Sequence, residues 1–486
     1  MSSSLWLGLD VGTQSTKALV LDAQTHVIVA RASVPYDLIE GLPEGAAEQH
    51  PQTWADAVVR ALSQLAEQGI ALHQIQGVGV SGQQHGLVLL DQQGSVVRPA
   101  KLWCDTSTAS EAEELGRRFG RPVPTGFTAS KILWVIEHEP EHWAKTAHVM
   151  LPHDYINHLL TGRLTMEVGD ASGSGFFDPA ARTFNQTEVD LISPDLAGKL
   201  PELIEAPAPV GTVSAEGASW SGLSENTLVA AGGGDNMMSA IGSGAVEPGP
   251  VVLSLGTSGT VFACTKEPVI DTEGLIAPFC SSTGHYLPLL CTMNVTGVTE
   301  EVRQAFGLDH EELTRRASKV SPGANGLVWL PYLVGERVPD LPRATGSLLG
   351  LRHGWLDPGV LFRSAIEGTT LNLAWGARRM ASLGVSIGSI RLVGGGSKNP
   401  LWQQITADIF SVPVTTLEEP ESAALGGALQ ALWTSRAQAD PTTSLTALAK
   451  PFIRTGTTLA PIPDWARAYE TIMADWCQCL EQIHQI

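Results

Sequence analysis

The chain has 486 residues, of which 43% are hydrophobic and 16% are charged, and it contains 50 glycines. This length exceeds a single ordinary domain, and the composition is that of a folded globular protein with many tight turns. The formal net charge of −20 repels a phosphate backbone, which argues against a nucleic-acid partner. Six scattered cysteines favour reduced thiols in the cytoplasm over a disulfide framework.

The N-terminal sequence predicts neither a targeting leader nor a membrane span. It has no basic leader, and Asp10 interrupts its apolar stretch. No run of about 20 apolar residues follows anywhere in the chain. We therefore expect a cytoplasmic protein without a membrane partner.

The first elements form a predicted three-strand meander. Residues 5–12 ("LWLGLDVG") predict a strand that enters a turn, and 15–36 continue as two more strands. Apolar residues at helical spacing predict a helix over 50–69, and 75–94 predict two strands separated by a glycine turn. The following region, up to about residue 220, is rich in Gly and Pro, and we expect it to be irregular.

The second half repeats this plan. Residues 227–244 predict a strand, a triple-glycine turn and the start of a helix, and 249–265 predict two strands around a Gly-Thr-Ser turn. This turn matches the Gly-Thr turn of the opening meander, but Ser254 stands where the first copy has Asp10. Two such distant copies predict a duplicated α/β domain with a cleft between the copies.

Two further segments of the second half are rich in small residues. Residues 389–410 predict a strand, a turn of three glycines and a helix with apolar residues on one face. Residues 421–433 predict a helix whose small side chains let it pack close to a neighbouring element.

Two acids lie where strands are predicted to end. A buried carboxylate is costly unless it is paired or holds a metal, yet Asp10 lies inside an apolar strand. Asp235 follows three glycines before a predicted helix, where an acid often serves only as a cap. Ligands of α/β proteins bind at the carboxyl ends of strands, so one acid is a candidate for Mg²⁺ and the other for accepting a hydroxyl proton. Phosphoryl transfer requires that division of roles.

Three glycine turns are candidates for holding phosphate: Asp10–Lys17, Leu255–Gly259 and Gly394–Asn399. Glycine lets the backbone approach a ligand closely, and neighbouring hydroxyls add donors. Neither a P-loop nor a dinucleotide-binding pattern is present. We expect the first two turns to hold a triphosphate from opposite sides and the third to hold the nucleoside.

Polar residues cluster after one strand and after one apolar run. Gln83, Gln84 and His85 follow a predicted strand and suit the recognition of sugar hydroxyls, although a lone histidine is more often structural. Glu336 and Arg337 are candidates for an ion pair in the cleft, with a surface pair as the alternative.

Together these motifs resemble those of the FGGY carbohydrate kinases over essentially the whole chain. Seven stretches occur in the order of that family: "GLDVGTQSTKALVLD", "GVGVSGQQHGLVLLD", "LWCDTST", "AGGGDNMMSAIGSG", "LSLGTSG", "WLPYLVGER" and "LVGGGSKNPLWQQITADI". The "GQQHG" turn is similar to that of the xylulose kinases, whereas glycerol kinases usually have Arg-Glu there. Two departures are Gln84, where many bacterial xylulose kinases have Met, and Cys104, where they have Asn.

The resemblance implies two actin-like (ribonuclease H-like) α/β domains: a sugar-binding and catalytic domain over 1–244 and an ATP-binding domain over 245–486. It implies ATP and Mg²⁺ as cofactors and the phosphorylation of D-xylulose to D-xylulose 5-phosphate. Asp235 matches the general base and Asp10 the acid near the phosphates, and both are candidate metal ligands. The remaining implied contacts are with the sugar (Gln84, His85, Trp103, Asn236) and with ATP (Gly12, Thr13, Gln14, Lys17, Gly256, Thr257, Ser258, Gly395, Gly396, Asn399).

Two other functions stay open at this point. One is a kinase of the same family for another ketose or polyol, such as ribulose, a deoxy-ketose or gluconate. The other is a non-catalytic, actin-like ATP-binding switch, against which Asp235 and the polar sugar-facing residues argue. The expected partners are a small sugar and ATP, and the oligomeric state is left open, with a homodimer as one option.

Overall fold

Two mixed β-sheets organise the fold in the computed structural model, which describes residues 4–486. The N-terminal half contains the strands β1 (Leu5–Val11), β2 (Ser15–Asp22), β3 (Val27–Pro35), β4 (Glu48–Gln49), β5 (Ile75–Gly82), β6 (Val88–Leu90), β7 (Ala100–Lys101), β8 (His148–Met150), β9 (Thr165–Glu167), β10 (Phe177–Asp178), β11 (Thr183–Phe184), β12 (Glu202–Ile204), β13 (Pro209–Thr212), β14 (Leu228–Ala230) and β15 (Gly233–Gly234). Its helices are α1 (Pro51–Glu67), α2 (Ala109–Phe119), α3 (Thr128–His138), α4 (Pro140–Lys145), α5 (Pro152–Thr161), α6 (Val168–Ala171), α7 (Gln186–Ile192), α8 (Ala215–Ser221) and α9 (Asp235–Gly242).

The C-terminal half has a similar mixture of strands and helices. Its strands are β16 (Pro250–Leu255), β17 (Gly259–Ala263), β18 (Ala277–Cys280), β19 (Tyr286–Thr292), β20 (Val328–Leu330), β21 (Ser347–Leu349), β22 (Ser389–Val393), β23 (Val414–Leu417) and β24 (Thr455–Leu459). Its helices are α10 (Thr296–Phe306), α11 (His310–Ala317), α12 (Pro358–Ser382), α13 (Pro400–Phe410), α14 (Ser422–Ala439), α15 (Leu445–Ala449) and α16 (Pro463–His484). None of the helices in residues 4–486 is long and apolar enough to cross a membrane.

The two large sheets have the same strand arrangement. The first has the order β13-β14-β5-β1-β2-β3, and the second has the order β18-β19-β17-β16-β22-β23-β24. In each, an antiparallel meander (β1-β2-β3 or β16-β17-β19) is continued by parallel strands (β5 and β14, or β22 and β23). The duplicated α/β architecture expected from the repeat is therefore confirmed.

The predicted elements of both halves form where the residue pattern placed them, with one exception. The region before residue 220 is not irregular, because it contains the helices α2 to α8. Pro140 and Pro152 stand at the first turns of α4 and α5, where a missing N–H costs nothing. Gly120 and Gly162 end α2 and α5 in the left-handed conformation. The prolines and glycines of this region thus bound short helices.

The core continues from one sheet to the other through α9 and α14. One hydrophobic cluster contains Trp6 and Leu19 of the first sheet, Val252 and Phe262 of the second, and the buried faces of these two helices. The outer face of the first sheet packs against α1 and α5, and that of the second packs against α10, α12 and α13. Because α14 follows the second sheet in sequence but lies against β1 and β5, it joins the two halves.

Glycines let α14 approach the first sheet closely. A methyl group built on Gly8 of β1 would lie 2.8 Å from the backbone nitrogen of Ala428, and one built on Gly427 would lie 2.5 Å from the carbonyl oxygen of Gly79. Both distances are shorter than ordinary carbon contacts, so side chains larger than hydrogen do not fit this seam. The small-residue helix predicted over 421–433 is confirmed, and its neighbour is the first sheet.

Candidate active site

Asp10 lies near the carboxyl end of β1, between Lys17 of β2 and Ser81 of β5. The Ser81 hydroxyl donates a hydrogen bond of 2.8 Å to Asp10 Oδ1. Burial raises the pKa of Asp10, and the nearby Lys17 ammonium and the Ser81 hydrogen bond oppose that rise. The sequence thus provides a donor and a cation beside a carboxylate that is otherwise costly to bury.

Asp235 is the first residue of α9 and is partly exposed. Its Oδ1 accepts hydrogen bonds from the backbone N–H of Asn236 at 2.8 Å and from Asn236 Nδ2 at 3.1 Å. Burial raises the pKa of Asp235 to about 7, and the negative charges of Asp10 and Asp170 contribute to the rise. A carboxylate with a pKa near neutrality is well suited to take up and release a proton.

Gln84, which lies just after β5, is linked to Asp235 through the Asn236 side chain. Its Oε1 accepts a hydrogen bond of 2.9 Å from Asn236 Nδ2, and its buried amide also lies beside Asp170. Burial raises the pKa of Asp170, and the Gln84 hydrogen bond opposes that rise. A methyl group built on Gly234 would lie 2.6 Å from Gln84 Cγ and 3.0 Å from Asp170 Oδ1. The glycine before Asp235 is therefore required by crowding, and the Gln84 side chain is held beside both Asn236 and Asp170.

His85 is held in one orientation and one protonation state. It has a positive φ of 64° and stacks on Phe127 with ring centroids 4.3 Å apart. Its Nδ1 lies 2.7 Å from the Gly173 carbonyl oxygen and so carries the proton, which leaves Nε2 as an acceptor. Burial holds the pKa of His85 well below its usual range, and the charges of Lys131 and Arg337 lower it further.

The turn after β1 is fixed by side chains of the N-terminal half. Thr13 Oγ1 donates to Gln83 Oε1 and accepts from Trp103 Nε1, each at 2.9 Å. Gly12 N–H bonds the Ser15 carbonyl oxygen at 3.0 Å across the turn, and Gln14 is exposed at its tip. The structure thus brings Thr13 and Trp103 together, with the Thr13 hydroxyl already occupied.

The matching turn after β16 leaves its hydroxyls free. Gly256 N–H bonds the Ser258 carbonyl oxygen at 3.1 Å, as in the first copy, and Thr296 at the start of α10 donates to the Gly256 carbonyl oxygen at 2.8 Å. Thr257 is exposed, and neither its hydroxyl nor that of Ser258 donates a hydrogen bond within residues 4–486. These two hydroxyls are free to bind a phosphate oxygen.

The third glycine turn adjoins the second. A methyl group built on Gly394 would lie 2.7 Å from the Leu255 carbonyl oxygen, which directly precedes Gly256. Gly395 faces open space, whereas Gly396 packs against Leu255. Asn399 caps α13 by accepting from the Leu401 N–H at 3.0 Å, and its Nδ2 donates to Thr314 Oγ1 at 2.9 Å. Gly395 thus offers the most open backbone of this turn to a ligand.

Lys17 has a partner in the other half, and one predicted ion pair does not form. Lys17 Nζ lies 2.6 Å from Glu421, the residue before α14, so this ion pair connects the two halves. Glu336 and Arg337 do not form the predicted ion pair. Glu336 instead accepts the N–H groups of Met293 at 2.6 Å and Arg337 at 2.8 Å, because its buried carboxylate needs several donors.

Several residues behind the site had no motif that could reveal them. His153 lies between two carboxylates, with Nδ1 2.7 Å from Asp170 Oδ2 and Nε2 2.9 Å from Asp154 Oδ1. Burial alone would lower the pKa of His153, but these two acids hold it well above its usual range. Lys131 Nζ donates to the carbonyl oxygens of His85, at 2.8 Å, and Gly126. These groups lie in the region expected to be irregular, and their sequence spacing gives no signal.

The carboxylates of Asp10 and Asp235 suit a hard divalent cation. They lie within electrostatic reach of one another, since the charge of Asp10 raises the pKa of Asp235. Two neighbouring carboxylates repel each other, and a divalent cation that prefers oxygen ligands relieves that repulsion. The residues present therefore fit a metal at this position.

Comparison with known proteins shows that the chain is similar to carbohydrate kinases over most of its length. The N-terminal domain model of the FGGY family of carbohydrate kinases matches residues 5–242, and the C-terminal domain model matches residues 251–435. The chain belongs to the FGGY family of carbohydrate kinases.

Individual relatives extend this result over nearly the whole chain. A xylulose kinase of Haemophilus influenzae is 40% identical over 446 residues, which cover 88% of this chain and 90% of the relative. A solved structure from Brucella ovis described as a "xyloylose kinase" has a TM-score of 0.91 at 30% identity and covers 99% of both chains. A gluconate kinase from Lactobacillus acidophilus has a TM-score of 0.90 at 25% identity and covers 99% of this chain and 98% of its own.

Proposed function

We propose that the protein transfers the γ-phosphoryl group of ATP to D-xylulose and forms D-xylulose 5-phosphate. The observation that carries this proposal is the arrangement of Asp235 beside Asn236 and Gln84, with neutral His85 next in sequence to Gln84. A proton acceptor beside a group of polar side chains suits a polyhydroxylated substrate. The xylulose kinases among the relatives support the choice of sugar.

Asp235 is the proposed general base. Its carboxylate takes the proton from the sugar's terminal hydroxyl as that oxygen attacks the γ-phosphorus, and the bond from phosphorus to the β,γ-bridging oxygen breaks. Gln84, His85, Asn236 and Trp103 are the proposed sugar contacts, and they orient the hydroxyl toward the phosphate. Closure of the two halves then excludes water and aligns the reacting atoms.

ATP is proposed to bind mainly to the C-terminal half, over 245–486, and the sugar to the N-terminal half, over 1–244. The free hydroxyls of Thr257 and Ser258 and the open backbone at Gly395 support this division. The proposed contacts of the first turn are Gly12, Thr13, Gln14 and Lys17; those of the second half are Gly256, Thr257, Ser258, Gly395, Gly396 and Asn399.

Mg²⁺ is the proposed metal, held by Asp10 directly or through water, with Asp235 as the second candidate ligand. When bound, the cation neutralises charge on the phosphate oxygens. The Ser81 hydroxyl holds the Asp10 carboxylate in one orientation, and the positive charge of Lys17 partly balances its negative charge.

A second candidate substrate is an aldonate such as gluconate. Arg337 reaches the His85 side of the cleft without a carboxylate partner among residues 4–486, and a substrate carboxylate would supply one. The name of the Lactobacillus acidophilus relative is consistent with this alternative. D-xylulose is favoured because of the 40% identical relative.

The first experiment is ADP release with Mg·ATP and D-xylulose, D-ribulose, L-ribulose, gluconate, glycerol or no sugar. We expect the highest kcat/KM with D-xylulose. A higher value with another substrate would reassign the sugar and keep the kinase. A rate that no sugar raises above the blank would support the ATP-binding switch instead.

The second experiment replaces the proposed base. Asp235→Asn keeps the size of the side chain but removes the proton acceptor, so kcat should fall by about 10²–10⁴-fold, the usual contribution of a general base. ATP binding should persist. Asp475→Asn, an exposed acid on α16, is the matched control and should retain the parent rate. A near-parent kcat for Asp235→Asn would reject the assigned role.

A further inference from the structure

Arg337 is a cation of the C-terminal half without an acidic partner among residues 4–486. It lies between β20 and β21 and is half-buried. Its guanidinium instead lies beside the Cys291 thiol, a weak acceptor, and burial raises the pKa of that thiol while the Arg337 charge and hydrogen bond oppose the rise. A guanidinium carries five N–H donors, and leaving them unmatched in a partly buried position is unfavourable unless a ligand takes them up.

The chain fixes the backbone that carries this arginine. The Glu336 carboxylate accepts the N–H of Arg337 at 2.8 Å and the Asn294 amide at 3.1 Å, and the backbone of Glu336 pairs with that of Leu341 in both directions at 2.9 and 3.0 Å. Glu336 is only 3% exposed. A buried carboxylate thus holds a turn whose next side chain has no acidic partner among residues 4–486, which is the arrangement expected of a prepositioned ligand-binding residue.

The guanidinium lies beside loops of the N-terminal half that carry proposed sugar contacts. Arg337 Nη2 lies 3.7 Å from the position of a methyl group built on Gly126, and that same position is in contact with the Trp103 carbonyl oxygen. Gly126 and His85 are tied together by Lys131, which donates to both of their carbonyl oxygens. The charge of Arg337 lowers the pKa of both His85 and Lys131, which agrees with this placement.

We propose that the Arg337 guanidinium binds an oxygen of the sugar beside His85, so that a residue of the C-terminal half completes the sugar pocket of the N-terminal half. This inference rests on the proposed function and adds a specificity-determining residue to it. Occupation of the pocket then links the two halves before any nucleotide chemistry takes place.

The position of Arg337 favours a sugar oxygen over the transferred phosphoryl group. Its guanidinium adjoins the loops of Gly126 and His85, whereas the free hydroxyls suited to phosphate are those of Thr257 and Ser258. The charges that shift the pKa of Asp235 most are those of Asp10 and Asp170. Arg337 therefore belongs to the His85 side of the cleft.

The test is calorimetric titration of the full-length protein with D-xylulose in the absence of nucleotide, followed by kinetics with Mg·ATP. Arg337→Met should weaken D-xylulose binding by about 10- to 100-fold, the range for a hydrogen bond to a charged group. Arg337→Lys keeps the charge but loses the planar fork, so its affinity should lie between that of the parent and that of Arg337→Met. The KM for ATP should be unchanged in both variants.

Arg343→Met is the matched control, because Arg343 is exposed on the same loop and forms no ion pair within residues 4–486. It should bind D-xylulose as the parent does. A parent-like affinity of Arg337→Met for D-xylulose would overturn the inference. It would do so even if kcat or the affinity for the phosphorylated product changed in that variant. If the parent protein prefers another sugar of the panel, the proposed substrate fails and the same titration with that sugar decides the role of Arg337.

Discussion

Replacement of Gly427 by alanine tests the close packing of α14 on the first sheet. In an ordinary helix interior this change is stabilising by about 0.5–1 kcal/mol, because alanine loses less backbone freedom on folding. At position 427 the added methyl group would lie 2.5 Å from the Gly79 carbonyl oxygen and 3.1 Å from its carbonyl carbon. Both are backbone atoms of β5, so no flexible side chain can move aside.

The size of the effect follows from the distance that α14 must move. A carbon atom and a carbonyl oxygen approach to about 3.3 Å at closest, so the methyl group displaces the helix from β5 by about 0.8 Å. Overpacking of this kind costs about 1–3 kcal/mol, which exceeds the gain in helix propensity. We expect Gly427→Ala to lower the free energy of unfolding by about 1–2 kcal/mol.

The matched control is Gly116→Ala in α2. There the added methyl group would lie 3.5 Å from the nearest atom, the Arg121 carbonyl oxygen, which is an ordinary contact. Urea unfolding followed by tryptophan fluorescence should give a higher midpoint for Gly116→Ala and a lower midpoint for Gly427→Ala than for the parent. A midpoint that rises in both variants would refute the packing argument.

Two further predictions concern the site. Burial lowers the pKa of Lys131 to about 7, so between pH 7 and 9 the unfolded chain binds more protons than the folded one and stability rises with pH. Relative to Lys131→Met, the free energy of unfolding of the parent should rise faster by up to about 1.4 kcal/mol per pH unit, and equal slopes in urea titrations would contradict the assignment. Ser81→Ala removes the 2.8 Å hydrogen bond to Asp10, so half-maximal activity should need about fivefold more Mg²⁺, as expected for about 1 kcal/mol. The control is Ser63→Ala, at an exposed position. An unchanged Mg²⁺ requirement for Ser81→Ala would contradict the proposal that Asp10 holds the metal.

Local patterns were sufficient to predict the sheets and the acids at their ends. A strand followed by a glycine turn lies within one short stretch of sequence, so it can be recognised there. Its recurrence at Asp10 and Leu255 revealed the duplication. Asp235 likewise directly follows a glycine at a strand end, and Gln84 lies two residues after one. Because such turns are set by neighbours in sequence, the residues alone predict where these side chains emerge.

The residues that sequence reasoning missed depend on contacts between distant segments. His153 and Asp170 meet only because α5 and α6 pack behind the Gly234 turn. Arg337 was expected to pair with Glu336, but the fold directs the carboxylate into the Met293 turn and the guanidinium toward His85. Adjacent opposite charges give no signal about which of them faces a cleft, because that choice is made by tertiary packing.

The placement of α14 has a consequence for how the chain folds during synthesis. The first sheet is complete once β15 has been made, but the face that carries Trp6 and Leu19 is covered by a helix that spans Ser422–Ala439. Until that segment leaves the ribosome, an apolar surface of the N-terminal half stays open to water and to other chains. A fragment that ends at residue 244 would lack α14, the helix that covers this apolar surface. Separately expressed halves should therefore become soluble only when they are produced together.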